Sequence, residues 1–508
     1  HVLVPQSVHK MLLVRKVRNL RGVARLFSDY RGDGGNRPTD HPFWRTVNIL
    51  KRDFKQVGQF LLPRGKEQQD ANKELESYLE KFRRPEVFPE HCDVLIIGGG
   101  GMGSSIAYWL KKEAREGLNV VVVEKDSSYA NASTALSVGG LRQQFSLVEN
   151  IEMSLYGAEF IRNIKEHLGD DIDVNFTPHG YLLLASEEGA ETLDRNSRLQ
   201  NELGARNEIL TPEKLKRRFP WLNTDGIALG CHGLEREGWF DPWCLLSGFK
   251  KRAQEYGAQY ICADVKGFEF EAQPDVIMVG IPSGKYEALR RCVVQLPNGE
   301  EKTIKFAICI LAAGAHSGQV AEMMGIGTGE GLLQMPLPVE PRKRYVYVVS
   351  SQSNDCPGLN TPLTIDPTST YFRRDGLCGN FVCGRSPTED HEPQCDTLEV
   401  DHEFFESQVW PQLAKRVPSF ESLKVSSSWA GYYEYNIYDK NGIIGNHPYH
   451  QNLFFATGFS GHGIQQTPAV GRAIMELIIH GQYRTIDLTR LGFDRLIVDQ
   501  PMFESNIV

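Results

Sequence analysis

The stretch CDVLIIGGGGMGSSIAYWLKKEAREGLNVVVVEKD, residues 92 to 126, constrains the fold more than any other part of the chain. An apolar run from Val94 to Ile97 leads into Gly98-x-Gly100-x-x-Gly103, a helical segment follows from Ser104 to about Glu116, and four valines, Val120 to Val123, come next. Continuous apolar runs on either side of a helix mark strands buried on both faces, as in a parallel β-α-β unit. Each glycine then has its own task. Gly98 makes the tight turn, Gly100 lets the backbone approach a pyrophosphate, and Gly103 lets the helix touch the strand. The helix N-terminus offers N–H groups to the anion. Glu124 ends the second strand 21 residues after Gly103, where its carboxylate can accept both ribose hydroxyls and disfavours a 2′-phosphate. The unit therefore predicts a dinucleotide site.

An NAD domain would continue with further β-α units in series, whereas this chain leaves the pattern after one. A helix is expected around Leu147 to Leu168, then a strand at GYLLLA and a short helix at TPEKLKRRFPW. Asp241 is placed to cap a helix that has Pro242 at its first position and runs to Tyr256. Pro297-Asn298-Gly299-Glu300 marks a hairpin whose return strand ends at Gly314, and strands dominate from Pro336 to about Val425. The reading is an α/β protein. A Rossmann-type FAD-binding domain (90–170, 230–335 and 425–485) is interleaved with an antiparallel-sheet-rich substrate domain (171–229 and 336–424), followed by a C-terminal tail (486–508). A single fingerprint leaves no second site for NADPH, so electrons should come directly from a substrate.

Other function classes are disfavoured. No apolar run approaches the roughly 18 residues of a membrane helix, which leaves at most peripheral membrane association. The ten cysteines include no CxxC pair, which argues for reduced thiols and no metal. The chain carries a net charge of −8, yet its first 28 positions hold Lys10, Arg15, Lys16, Arg18, Arg21 and Arg25 and no acid. MLLVRKVRNLRGVARLFS reads as a mitochondrial presequence spanning 1–27, with Met11 as the initiator and 1–10 upstream of it, and a basic nucleic-acid arm or a plain tail as the alternatives. Nothing downstream offers a matching basic surface, so no nucleic acid is expected. Residues 28–89 are polar and charged and read as a linker.

A second glycine-rich loop lies near the other end of the chain, in ATGFSGHGIQQTPAVG (456–471). Taken with IIGGGGMGSSIAYWL, ASTALSVGGLR, GWFDPWCLL and ILAAGAHS, the sequence from about Cys92 to Ile486 resembles the D-amino-acid-oxidase-like flavoproteins, which include sarcosine oxidases and dimethylglycine dehydrogenases. The resemblance implies that Gly458 to Ile464 lies over the flavin pyrimidine ring. It implies cofactor contacts from Gly98, Gly100, Gly103, Glu124, Lys125, Ser133, Thr134, Ser137, Val265, Gly314, Gly458, Gly461, His462, Gly463 and Ile464. His462 is then a donor or positive group near the flavin or substrate, or else a structural loop histidine.

Departures from the family pattern sharpen this. Leu136 and Tyr432 stand where some relatives attach flavin through histidine or cysteine, which implies dissociable FAD. Arg142 matches one cation of a substrate-carboxylate clamp, and Gln465 replaces the other. Val382 matches the position of an oxygen-activating lysine, which implies a dehydrogenase. Arg344, Arg385, Tyr432 and Tyr433 are expected on the substrate face, although PRKRY reads equally as a solvated strand end and GYYEY as core packing. His462, Arg142 and Tyr432 are the catalytic candidates. The implied reaction is oxidation at the C–N bond of a small amine or amino-acid-like substrate, with a flavoprotein or quinone as electron acceptor, in the mitochondrial matrix or peripherally on the inner membrane. STALSVGGLRQQFSLVENI, PVEPRKRYVYV and GRSPTE are closer to one mitochondrial branch of the family, and imply a role in assembling respiratory complex I with its subunits or assembly intermediates as partners. The alternative is a flavin-containing assembly module with little or no turnover.

Overall fold

The computed structural model describes residues 88–505 apart from 279, 280, 352 and 354. The expected presequence and positions 28–87 of the expected linker lie outside the described residues.

The unit at 92–126 builds the centre of the molecule. Strand β1 (His91–Ile97) passes through the glycine turn into helix α1 (Gly101–Ala114), and β2 (Val120–Glu124) returns parallel to β1. The helix starts at Gly101 rather than at Ser104. Glycine is a poor helix former, but packing overrides propensity here. A Cβ on Gly103 would stand 1.9 Å from the Gly98 carbonyl oxygen, and one on Gly98 2.2 Å from that of Ala312, so the strand and helix touch because these positions have no side chain.

The helix expected over 147–168 divides at Asn163 into α2 (Val148–Arg162) and a short turn, Ile164–Leu168. Helix α3 (Pro242–Glu255) has Pro242 in its first turn, and Asp241 Oδ1 accepts from Cys244 N at 3.1 Å. Strand β3 (Gln259–Cys262) then joins β2 in parallel. The Asn298-Gly299 turn, with φ of +85° at the glycine, joins β4 (Glu287–Gln295) to β5 (Glu301–Leu311).

Later in the chain come β6 (Val339–Ser350), β7 (Lys424–Asn436), β8 (Ile443–Asn446), β9 (Leu453–Thr457) and α4 (Gly463–His480). The first sheet runs β8-β9-β5-β1-β2-β3. Five of these strands, β9, β5, β1, β2 and β3, are mutually parallel, and β8 closes the edge beyond β9 antiparallel. Ile106 and Trp109 of α1, Phe249 of α3 and Val470 and Ile474 of α4 share one core with Val94 and Ile96 of β1. The second sheet has eight strands and is antiparallel except where Leu363–Ile365 runs parallel to Tyr181–Ala185. The molecule is thus an α/β Rossmann-type domain interleaved with a sheet-rich one.

One boundary moves. Positions 425–436, expected in the FAD-binding domain, pair with β6 along its length, from Val339 against Asn436 to Ser350 against Lys424, and so belong to the second sheet. Within the expected C-terminal tail, Ile486, Leu488, Leu491, Phe493, Leu496 and Met502 are buried. Among the described residues no helix is long and apolar enough to cross a membrane.

Candidate active site

The parallel strands all end on one edge, and the residues expected to hold a cofactor follow those ends. Gly98 leaves β1, Glu124 and Lys125 end β2, Val265 lies just past β3, Gly314 follows β5, and Gly458 follows β9. This is the crevice in which doubly wound sheets bind ligands. Gly98, at φ +95°, donates its N–H to Val123 O at 2.9 Å. Glu124 Oε2 accepts from Gly99 N at 2.8 Å and Oε1 from Asp126 N at 3.0 Å. The acid therefore closes the turn, and each oxygen keeps a lone pair for a ribose hydroxyl. Lys125 is exposed and pairs with Asp264 at 3.4 Å. The Gly314 carbonyl lies 3.3 Å from Thr457 Oγ1.

Beside this edge is a cavity of about 230 Å³. Ser133, Thr134, Ser137, Arg142, Tyr432, Gly461, His462, Gly463 and Ile464 all line it, as do Leu136, Arg344, Arg385, Tyr433 and Gln465. Thr134 links it to the phosphate turn, because its Oγ1 accepts from Gly101 N at 3.0 Å. The fingerprint glycines, Glu124, Lys125, Val265, Gly314 and Gly458 are not among the lining residues. Val382 is buried between Val348 and Arg373 in the second sheet and does not line the cavity either.

The glycines of the second loop are required by contact. Gly458 and Gly461 have φ of +79° and +96°, and a Cβ on Gly461 would stand 1.8 Å from Tyr433 Oη. The loop ends at the N-terminus of α4, whose unpaired N–H groups make that end electropositive.

Arg142 is 8% exposed, and its guanidinium packs 4.7 Å over the ring of Phe145 with no carboxylate at ion-pair distance among the described residues. Its backbone N donates to Gln465 Oε1 at 2.7 Å, so the glutamine orients the arginine's main chain. Arg344 is tied to Glu392 and Lys343 O. Arg385 donates to the carbonyls of Thr368 at 3.2 Å and Gln408 at 2.9 Å. Tyr432 gives its hydroxyl to Cys395 O at 3.1 Å, which directs it to the backbone.

His462 corrects one expectation. Burial, reinforced by the charge of Arg142, pushes its pKa down to about 3, so the ring is neutral at ordinary pH and supplies no positive charge. It packs edge-on against Phe145 at 5.4 Å, and Nε2 has no hydrogen-bond partner among the described residues.

Two acids were missed by sequence reasoning. Glu237 is buried, with Oε1 accepting from Gln143 N at 2.7 Å and Oε2 from Gln144 Nε2 at 2.8 Å, and burial raises it to about 7 against the opposing charge of Arg142. Glu434 lines the cavity. Its Oε2 lies 3.2 Å from Gly458 N and 3.3 Å from Thr457 Oγ1, and burial raises it to about 7 as well. The available signal was a lone acid in the aromatic strand GYYEYN.

Residues 93–477 match the DAO family, described as FAD dependent oxidoreductase. The chain is 52% identical to the FAD-dependent oxidoreductase domain-containing protein 1 homolog of Drosophila melanogaster, over 94% of each chain. It is 24% identical to the mitochondrial dimethylglycine dehydrogenase of Mus musculus, over 82% of this chain and 46% of that one. In three dimensions it is similar to L-proline dehydrogenase from P. horikoshii, with a TM-score of 0.67 and 27% identity over 82% of this chain and 100% of that one.

Proposed function

The chain belongs to the DAO family of FAD dependent oxidoreductases, and from that premise we propose that it is a dehydrogenase oxidising the C–N bond of a small amino-acid-like amine. Its cofactor is FAD. The residues present fit that group, because positions 98 and 103 have no room for a side chain and Glu124 stands at the end of the second strand. When bound, the flavin ring supplies the hydride acceptor. The chain's own residues position and polarise. The N-terminus of α4, reached through Gly461 to Gly463, presents N–H groups that stabilise negative charge developing in the cavity.

The observation that carries the amino-acid reading is Arg142, a buried guanidinium on the cavity wall with no carboxylate at ion-pair distance among the described residues. Such a group is a carboxylate receptor. Gln465 contributes a neutral amide nearby, so recognition of the carboxylate rests mainly on one charge. Dimethylglycine and L-proline, named for two similar proteins, are both substituted amino acids. The aliphatic, buried Val382 in place of a lysine favours a dehydrogenase over an oxidase, with electrons passing to a soluble flavoprotein or a quinone.

Within the same proposal the protein works in the mitochondrial matrix, in support of complex I assembly. The acid-free, basic first 28 positions and the mitochondrial relative support the compartment. The complex I role rests on the sequence resemblance alone.

The test is anaerobic bleaching of the visible flavin band by N-methylated amino acids, D-amino acids and L-proline. Bleaching by at least one establishes a C–N dehydrogenase and its substrate class. Bound flavin that no compound bleaches transfers the proposal to the non-catalytic assembly reading.

A further inference from the structure

The cavity wall carries three arginines and one acid. Arg344 is neutralised by Glu392, and Arg385 spends its donors on carbonyl oxygens. Arg142 has no carboxylate at ion-pair distance among the described residues, the buried Glu237 being coupled to it electrostatically without such a contact, and Glu434 likewise makes no ion pair with a cation among them. Arg142 and the carboxyl group of Glu434, neither of them in an ion pair among the described residues, therefore line one cavity of about 230 Å³.

Glu434 is also held in a definite pose. Its contacts with Gly458 N and Thr457 Oγ1 are both through Oε2, and its main-chain oxygen accepts from Ser460 N at 3.0 Å. Oε1 lies beside Gly463, where a Cβ would stand only 3.1 Å from it, and the main chain of Phe459 also hydrogen-bonds the carboxyl group. A carboxyl group inside a protein with no cation costs stability and needs a proton or a cationic ligand. A zwitterion carries the complement of each group, a carboxylate for Arg142 and an ammonium for the acid.

We propose that Glu434 is the specificity-determining residue that receives the cationic nitrogen of the substrate, which makes the cavity selective for zwitterionic amino acids over analogues that carry no charge at that position. The assignment rests on the dehydrogenase reading and names the second half of its recognition. Burial raises the group to about 7, so at neutral pH an arriving ammonium draws it into the carboxylate form and gains a charge-assisted hydrogen bond.

The experiment uses the FAD-loaded full chain under anaerobic conditions and two matched pairs, sarcosine with methoxyacetate and L-proline with tetrahydro-2-furoate. Each pair keeps the carboxylate and exchanges nitrogen for an ether oxygen, and apparent dissociation constants come from saturation of the flavin spectral shift for the ether and from saturation of the bleaching rate for the amine. The wild type is expected to bind the amine member about tenfold or more tightly than the ether. Glu434→Gln, which keeps an acceptor for Gly458 N, should bring that ratio close to one, and Glu434→Asp should preserve the preference. Because the readout is a ratio within one preparation, partial misfolding does not mimic the effect. A Gln variant that keeps the full preference overturns the assignment. So does one whose flavin spectrum shifts while the ratio stays unchanged, since the acid would then touch the cofactor. A wild type that binds neither member of either pair overturns this assignment together with the amino-acid reading. Bleaching by an amine combined with an unchanged ratio in Glu434→Gln overturns this assignment alone.

Discussion

At the scale of single residues, the site is governed by what burial does to charge. His462 and Glu434 flank the same loop, and burial moves them in opposite senses, the imidazole down to about 3 and the carboxyl up to about 7, so that both favour their neutral forms. For His462 the consequence for stability is directional. The unfolded chain takes up the proton near the ordinary value of 6.5 while the folded chain resists it until about 3, so stability is lost progressively as pH falls through that window. His462→Gln removes this dependence. The difference in unfolding free energy between variant and wild type should shift in the variant's favour by on the order of 1 kcal/mol per pH unit below the unfolded value. Thermal melts of the two FAD-loaded proteins from about pH 7 to about pH 5 read it directly, and parallel curves would show that the ring is not held neutral.

At the scale of elements, α2 shows how a distant segment completes a local structure. Its N-cap position is Leu147, whose side chain cannot cap, and the acid comes from Glu504, which accepts from Ser146 N at 2.6 Å and Leu147 N at 3.1 Å. A carboxylate at a helix entry contributes about 1 kcal/mol through hydrogen bonds and the helix dipole. Glu504→Ala should therefore lower the melting temperature by a few degrees while leaving bound FAD in place, as absorbance of the desalted protein would show. The sequence could not disclose this contact. Elements with local signals were legible: the glycine turn, the Asp241 cap and the Asn298-Gly299 hairpin each have their cause within a few residues. Segment 425–436 was placed in the other domain because strand alternation does not name a partner, and the packing of 486–505 was not legible because it depends on residues hundreds of positions away. The same reasoning explains the site. Arg142 and His462 were found through motif resemblance, whereas Glu434 matters only because β7 carries it beneath the second loop.

At the scale of the whole molecule, the cofactor edge is assembled from opposite ends of the described chain. The turn at Gly98 to Gly103 and the loop at Gly458 to Gly463 are brought together because β1, β5 and β9 are neighbours in one parallel sheet. A ligand site built from both segments can form only after that sheet has formed, so the free energy of binding there adds to global stability rather than to one local turn. Neither Leu136 nor Tyr432, both on the cavity wall, has a side chain of the kind that joins flavin covalently through histidine or cysteine, and Tyr432 has its hydroxyl on a backbone carbonyl. The ligand should then behave as an exchangeable one. Melting temperature should rise with the logarithm of free FAD, corresponding to about 4 kcal/mol at a thousandfold excess over the dissociation constant. Acid or urea denaturation should release all of the flavin into the supernatant. A melting temperature indifferent to added FAD, with colour remaining on the precipitated polypeptide, would show instead that the cofactor is anchored by a covalent bond.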